Sequence, residues 1–433
     1  MANTTDESSR ILHDYSTTIK RRFPTLLSSF DNLQDGRKKK GKRYRTVEIM
    51  MGILLLFLLK AGSRNQLNNN RANGNFQKNY VRLFGMKLPH MDMVNIVMCA
   101  IPNALLDKLK MNLMSLLFEQ KWLRKYRLLD IYYLIAVDAT GIVSFDRRHC
   151  PHCLTKTIKE GKNGRKLKKA KTIYFHYVLE AKLVTSNGLA LSLASEWIEN
   201  PVGDFVKQDC ERKAFVRLAA KLKEQYPRLP VCILADGLYP YENAFKICED
   251  NGWKFIFVLK DESLKTVQEE LTLTRLGKPA FTSHTNKTSW RIKRESRYHT
   301  DIAYHNKYTL NWMQCVETRT QIIDSKKKTP DSIPKTETSC FEYVTNIKPD
   351  DGNVETLCSG GRLRWKIENE GFNTQKNNGY ALEHKFVEKS YNGLQNYYTI
   401  LQIAHAIKIN SDRPEFETGK VMLAIIGNKD SHT

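Results

Sequence analysis

The chain has 433 residues, of which 41% are hydrophobic, so it is long enough to bury a sizeable core in two or three domains. Lysine and arginine outnumber aspartate and glutamate by 69 to 46, and the formal net charge of +23 favours a nucleic-acid partner over a basic protein without a dedicated partner. The most apolar stretch, residues 49–59, is about half of the ~20 residues that a membrane span needs, which excludes a membrane protein.

The first 130 residues are predicted to be helical, because apolar positions recur at intervals of three and four and strand-like alternation is nearly absent. Helices are expected at about 5–21, 46–61, 91–98 and 102–121. A strongly basic segment, residues 37–45, lies between the first two. It is interpreted as an arm that contacts phosphates, with a solvated loop as the alternative, and the expected contacts are Lys38, Lys39, Lys40, Arg43 and Arg45.

From residue 131 the pattern is that of a mixed α/β sheet, in which strands alternate with helices. Two apolar runs predict buried strands, 132–137 ending on Asp138 and 231–235 ending on Asp236. A turn signal at 186–188 predicts a hairpin. A basic stretch, residues 156–171, precedes this hairpin. The other elements predicted here are hairpin strands at 172–183 and 188–197, helices at 204–225 and 241–251, and a strand at 253–259.

Residues 280–350 carry little helical signal and predict a β-rich insertion. Short strands are expected at 290–292, 308–317 and 340–347, separated by polar, lysine-rich turns. A helical pattern returns at 362–378, and a last amphipathic helix is predicted at 391–409. The tail beyond residue 411 is polar and predicted to be loose.

Asp138 and Asp236 are the first candidates for chemistry, because functional side chains of open α/β sheets cluster where strands end. Two carboxylates from neighbouring strands, joined by a third from a helix, suit Mg²⁺ or Mn²⁺, which prefer oxygen ligands. Two such ions about 4 Å apart support in-line phosphoryl transfer. The alternative for either residue alone is that it caps the turn after its strand.

The helix predicted at 362–378 supplies the third carboxylate. At ~100° per residue, Arg364 lies ~40° and Gln375 ~20° from Glu368, so one helix face combines a carboxylate with groups able to grip phosphates, Lys376 among them. Glu370 is a rival acid, but it lies ~200° round the helix from Glu368 and faces away from the same cleft. The alternative is an exposed helix with ordinary ion pairs.

Three stretches carry a family resemblance: residues 136–140 around Asp138, 234–239 around Asp236, and 364–368 ending on Glu368. With a β-rich insertion before the last of them, they resemble the DDE transposases of bacterial insertion sequences, most closely the insertion-sequence-four-like group, over about 131–410. That group places a tyrosine three positions before the arginine and a lysine seven positions after the glutamate. This chain has Gly361 and Gln375 there, with Lys376 one position later.

The resemblance implies an RNase H-like mixed sheet flanked by helices, in which Asp138, Asp236 and Glu368 hold two Mg²⁺ or Mn²⁺ ions. Arg364, Gln375 and Lys376 are the expected phosphate contacts near them. The domains it implies are a helical DNA-binding domain at 1–130, catalytic segments at 131–260 and 356–412, a β-rich insertion at 261–355, and a flexible tail at 413–433.

The function that the resemblance implies is cut-and-paste transposition of an insertion sequence. The substrates are the element's terminal inverted repeats and a target DNA, and a homodimer is expected in the synaptic complex, in a bacterial cytoplasm. Two alternatives stay open. One is an RNase H-like nuclease that cleaves without strand transfer, and the other is a non-catalytic DNA-binding protein derived from a transposase.

One cysteine motif lies outside this scheme. Cys150 and Cys153 have the spacing of half a zinc site, but the sequence offers no second paired motif, so a thiol-rich turn is favoured over structural zinc. His149 and His152 flank these cysteines, and His176, within a predicted strand, is interpreted as a core histidine. Nine cysteines without a recognisable secretory signal predict free thiols in a reducing compartment.

Overall fold

The computed structural model describes residues 16–37, 43–160, 166–203, 207–273, 279–287, 289–322 and 334–410. Residues 16–22 are helical, and the rest of the helix predicted at 5–21 lies outside the described residues. The further helices are α1 (Leu26–Asp31), α2 (Thr46–Leu58), α3 (Arg64–Ala72), α4 (Gly74–Phe84), α5 (Met91–Ala100), α6 (Asn103–Glu119), α7 (Glu211–Gln225), α8 (Glu242–Asp250), α9 (Lys265–Leu273), α10 (Val354–Arg362), α11 (Thr374–Asn377) and α12 (Tyr391–Ile409).

Within the described ranges, ten strands form one mixed, largely antiparallel sheet, which confirms the predicted α/β class. They are β1 (Tyr133–Phe145), β2 (Leu154–Glu160), β3 (Lys166–Val184), β4 (Ala190–Ile198), β5 (Val231–Ala235), β6 (Lys254–Val258), β7 (Phe281–Lys287), β8 (Trp290–Tyr304), β9 (Tyr308–Gln321) and β10 (Thr336–Thr345). Their order is β2-β3-β1-β5-β6-β10-β9-β8-β7, with β4 also paired to β3. The strands β5 and β6 run parallel to β1, whereas β3 is antiparallel to it.

The long strand β3 joins two hairpins. Its second half pairs with β4 across a turn in which Gly188 has a φ of +89°, so the predicted hairpin is confirmed. Its first half pairs with β2. The described parts of the basic stretch, 156–160 and 166–171, for which the pattern predicts no strand, therefore lie in β2 and at the start of β3, and Lys156, Lys159 and Lys171 are exposed there.

The β-rich insertion extends the sheet instead of forming a separate one. Strand β10 pairs with β6, and β9, β8 and β7 follow in turn. The strand predicted at 290–292 extends to Tyr304, and the one predicted at 308–317 extends to Gln321, because polar residues on their solvent faces hide the apolar alternation. The core of the sheet is thus continuous from the predicted catalytic segment into the insertion.

The N-terminal helices share a hydrophobic core with the sheet, and α12 connects the two. Every residue of α2 is buried, since α2 packs against α12 and other helices on several sides. The ring of Phe57 lies 5.4 Å from that of Phe386, and the Asn103 amide donates to Asn396 and Thr399 of α12. Among the described residues, no helix combines the length and the apolar character needed to cross a bilayer.

One buried carboxylate ties the insertion to α10. Glu317 of β9 accepts hydrogen bonds from Arg294 and Arg319 at 2.7 Å each and from Arg362 of α10 at 3.0 Å. Burial alone raises the pKa of Glu317, but the hydrogen bonds from Arg294 and Arg319 and the charge of Arg362 lower it more, to about 2. Because this pKa is below the ordinary value of 4.5, the pairing stabilises the fold above about pH 4.5 and is lost as the pH falls towards 2.

We therefore expect Glu317→Gln to lower the free energy of unfolding at pH 7 by about 3 kcal/mol, since three arginines lose a buried anionic partner. The difference from the wild type is expected to shrink below pH 4.5. Urea denaturation followed by circular dichroism at several pH values measures both effects. Glu337→Gln on β10 is the matched control, because this glutamate is exposed and forms its ion pair with exposed Lys335. Equal destabilisation by both variants would contradict the prediction.

Candidate active site at one edge of the sheet

Strand register brings Asp138 and Asp236 together. In the parallel ladder of β1 and β5, Ala136 pairs with Leu234, and each aspartate follows two residues later. Because side chains alternate along a strand, both aspartates extend the face that carries Ala136 and Leu234. The predicted strand ends on Asp138, but β1 continues to Phe145. Asp138 therefore lies within β1, at the level where its parallel neighbour ends.

The segment that carries Glu368 packs on the same face, but it is not the single helix predicted at 362–378. The α-helix α10 begins eight residues earlier, at Val354, and is followed by a 3₁₀ turn, Leu363–Trp365, a π-helix, Ile367–Asn373, and the short α11. Buried Ile367 and Phe372 hold the π-helix against the sheet. A π-helical turn is rare and is frequently found at functional sites.

Glu368 and Glu370 point to different neighbours. Arg364 donates to Glu368 Oε1 at 2.7 Å, as the predicted helix face implies, and both side chains act on the pKa of Asp138. Glu370 pairs with Lys366, and its Cγ lies 3.8 Å from where a Cβ would stand on Gly188, in the β3–β4 turn. Of the two glutamates, Glu368 is thus the one beside Asp138.

A fourth carboxylate, Glu211, joins the cluster, although no motif in the sequence marks it. Burial raises the pKa of Asp138 to about 7, and the negative charges of Glu368 and Glu211 contribute to the rise. Burial also raises the pKa of Glu211, with a contribution from Asp236, while Tyr239 Oη donates to Glu211 Oε1 at 2.8 Å. Glu211 is the first residue of α7, so only the fold brings it to the two strands.

Asp236 is held by its own loop. Its Oδ1 accepts from the backbone N–H of Leu238 at 2.9 Å, and its Oδ2 lies 3.5 Å from the ammonium of Lys260. A Cβ on Gly237 would lie 2.5 Å from the Lys260 side chain, so the missing side chain lets the lysine pass close to the backbone. Lys260, just after β6, is a second residue of the site that the sequence analysis did not identify.

The residues after Glu368 support the π-helix more than they face solvent. Gln375 is fully buried and exchanges two hydrogen bonds with Gln402 of α12, so it offers no polar atom to DNA, contrary to the prediction. Lys376 forms an ion pair with Glu383 at 2.8 Å. Beneath the π-helix, buried Lys182 lies 5.4 Å from the ring of Phe372 and donates to Gln402 at 2.6 Å.

Part of the predicted basic arm is described. Arg43 and Arg45 are exposed next to the start of α2, and the Arg43 guanidinium lies 5.6 Å from the ring of Tyr44. Lys38, Lys39 and Lys40 lie outside the described residues.

The donor set of this cluster fits a hard divalent cation. Asp138, Asp236, Glu368 and Glu211 offer carboxylate oxygens alone, which Mg²⁺ and Mn²⁺ prefer over nitrogen or sulfur donors. Burial is the main cause of the raised pKa of Asp138, the negative charges of Glu368 and Glu211 add to it, and the positive charge of Arg364 opposes it. A bound divalent cation would lower this pKa by adding positive charge beside the carboxylates.

Compared with protein-family models and with curated proteins, the chain has no match in either.

Glu211 gives a test of how far the carboxylate cluster extends. We expect Glu211→Gln to weaken Mn²⁺ binding by about tenfold, because the cluster loses one charge while Tyr239 keeps a hydrogen-bond acceptor. Isothermal titration calorimetry measures this change. Glu224→Gln, at the exposed far end of the same helix, is the control. Equal Mn²⁺ affinity of the Glu211→Gln variant and the wild type would remove Glu211 from the site.

Proposed function

We propose that this chain is a metal-dependent enzyme that acts on the phosphodiester bonds of DNA. The observation that carries the proposal is that Asp138 and Asp236 follow paired positions of two parallel strands, while Glu368, on a helical segment packed on the same face, acts on the pKa of Asp138. The carboxylate cluster is a locally negative site in a chain whose formal net charge is +23. A negative site of this kind suits a metal centre within a positively charged surface that attracts a polyanion.

More specifically, we propose a DNA transposase of the DDE type with an RNase H-like catalytic fold. In the strand order β4-β3-β1-β5-β6, each neighbouring pair on one side of β1 is antiparallel and each pair on the other side is parallel, which supports that fold. The insertion between Asp236 and Glu368 is continuous with this sheet, which keeps the segment that carries Glu368 on the face of both aspartates.

The residues of the candidate site have different proposed roles. Asp138, Asp236 and Glu368 would hold the cations, which when bound lower the pKa of an attacking water or 3′-hydroxyl and stabilise the leaving oxygen. Arg364 orients the Glu368 carboxylate through their ion pair. Lys260, with its side chain 61% exposed beside Asp236, is placed to bind a non-bridging phosphate oxygen.

A groove beyond Asp138 is suited to the DNA backbone. It has a volume of about 500 Å³ and runs along residues 141–144 of β1. Exposed Lys156 and Lys385 line it together with Phe175 and Tyr177. Cations that follow a backbone, interleaved with aromatic rings that stack on unpaired bases, are typical of surfaces that bind distorted DNA ends. The proposed substrates are the terminal inverted repeats and a target DNA, bound by a homodimer.

The test is a cleavage assay on a supercoiled plasmid that carries a donor element, built with the DNA that flanks the coding region. We expect cleavage at the element's ends with Mg²⁺ or Mn²⁺, none with chelator, and joining of the freed 3′ ends to a second plasmid. Cleavage without joined products would replace the transposase by a nuclease. Tight DNA binding without metal-dependent cleavage would contradict the enzyme proposal and leave a DNA-binding protein.

A further inference from the structure

A second cluster of metal-ligating side chains lies away from the carboxylates. Cys150 and Cys153 lie in the connection between β1 and β2, and His176 lies on β3. The two sulfurs are 3.5 Å apart, and His176 Nε2 is 3.5 Å from each of them. The fold thus adds His176 to the cysteine pair as a third candidate ligand, although its position within a strand predicted a core histidine.

These distances match those of a tetrahedral zinc site. With Zn–S bonds of about 2.3 Å and Zn–N bonds of about 2.0 Å, a tetrahedron places the two sulfurs about 3.8 Å apart and each sulfur about 3.5 Å from the nitrogen. A disulfide would use Cys150 and Cys153 alone and would leave unexplained why His176 Nε2 faces both sulfurs. Two thiolates and an imidazole form a soft donor set that selects zinc over magnesium.

The surroundings hold the three ligands in place. Cys153 and His176 are buried, and the Tyr391 ring of α12 lies 4.7 Å from that of His176. The Asn200 amide donates to the Cys153 carbonyl at 2.9 Å, and the Asn200 carbonyl lies 3.1 Å from His152 Nδ1. These contacts hold the backbone at Cys153 and pack an aromatic ring against the imidazole of His176, whose Nδ1 has no hydrogen-bond partner among the described residues.

We propose that Cys150, Cys153 and His176 bind one Zn²⁺ through three protein ligands, with water in the fourth position. Among the described residues the group has these three members. The ion would link the segment between β1 and β2 to β3 and so fix the base of the β2–β3 hairpin. Strand β2 of this hairpin carries exposed Lys156 and Lys159. This proposal goes beyond the proposed function and does not depend on it.

The experiment measures metal in the full-length chain, purified with a thiol reductant and without chelator from zinc-supplemented cells. We expect inductively coupled plasma mass spectrometry to detect about one zinc ion per chain. Replacing zinc by Co²⁺ is expected to give the sulfur-to-cobalt charge-transfer band and the intense visible bands of a tetrahedral thiolate site. Cys153→Ser and His176→Ala are expected to lose the zinc.

Two controls separate this site from other possibilities. Cys340→Ser removes an exposed cysteine elsewhere, and Asp138→Asn disables the carboxylate cluster, so both variants are expected to keep the zinc and the cobalt spectrum. The zinc content and the Co²⁺ spectrum of the wild-type chain decide whether the site exists, so a variant that fails to fold does not affect the outcome. A folded, reduced wild-type chain without zinc, or one whose Co²⁺ spectrum lacks thiolate bands, would overturn the proposal, as would a Cys150–Cys153 disulfide in mass spectra of the alkylated chain.

Discussion

Replacing either aspartate by its amide, Asp138→Asn or Asp236→Asn, is expected to slow metal-dependent cleavage of DNA by about 10³-fold or more. Each variant keeps the shape of the side chain but removes a charged ligand from the cluster. A catalytic divalent cation supplies several kcal/mol of transition-state stabilisation, and each 1.4 kcal/mol, roughly, is a factor of ten in rate. Single-turnover cleavage of supercoiled donor DNA at saturating Mg²⁺ measures the loss.

The control is Asp250→Asn, because Asp250 is exposed at the end of α8 and forms its ion pair with exposed Lys246 of the same helix. Its cleavage rate is expected to stay within about twofold of the wild type. Thermal melting shows whether the inactive variants are folded. In metal-free buffer at pH 8, Asp138→Asn is expected to raise Tm, because burial raises the pKa of Asp138 to about 7 and the amide avoids that unfavourable charge. A folded Asp236→Asn protein that cleaves at the wild-type rate would remove the cluster from catalysis.

The two aspartates could be predicted from the sequence because the signal is local. An apolar run that ends on an acid marks a buried strand, and two such runs imply neighbouring strand ends whatever lies between them. The pattern did not predict that β1 continues past Asp138, since Gly141 and Ser144 interrupt the apolar run. Strand length depended on pairing with β3, which is a contact between distant parts of the chain.

The helical segment shows the limit of a periodicity argument. The ~100° spacing correctly related Arg364 to Glu368, which are one turn apart, but it failed over longer distances because a π-helix changes the pitch from Ile367 onward. Gln375 therefore turned inward to Gln402 instead of facing the cleft. The pitch was set by packing against the sheet, which the sequence of the helix alone does not contain.

Glu211 and His176 escaped prediction for a related reason. Each is a single residue without a motif around it, and each gains its role from partners in other elements. Glu211 begins α7 and comes near the carboxylates only because α7 packs on β4 and β3, and His176 meets the cysteine pair only because β3 pairs with β2. An acid at the start of a helix and a histidine within a strand are common features, so neither is specific by itself.

The second large effect separates the two glutamates of the π-helix. We expect Glu368→Gln to slow cleavage by about 10³-fold, as for the aspartates, because Glu368 is the glutamate whose charge acts on Asp138. Glu370→Gln is expected to cost at most about fivefold, since a partly exposed pair with Lys366 is worth about 1 kcal/mol or less. Measuring both rates in the assay used for the aspartates keeps the comparison direct.

The two variants control for each other, because they make the same chemical change two residues apart on one segment. Glu368→Gln also weakens the ion pair with Arg364, which is buried, so its Tm is expected to fall, and the rate must be measured below that melting transition. Mn²⁺ affinity distinguishes the remaining possibilities. If Glu368 is a ligand, Glu368→Gln weakens Mn²⁺ binding while Glu370→Gln leaves it unchanged. Loss of both activity and Mn²⁺ affinity in Glu370→Gln alone would assign the site to Glu370 and would require the π-helix to turn before it binds metal.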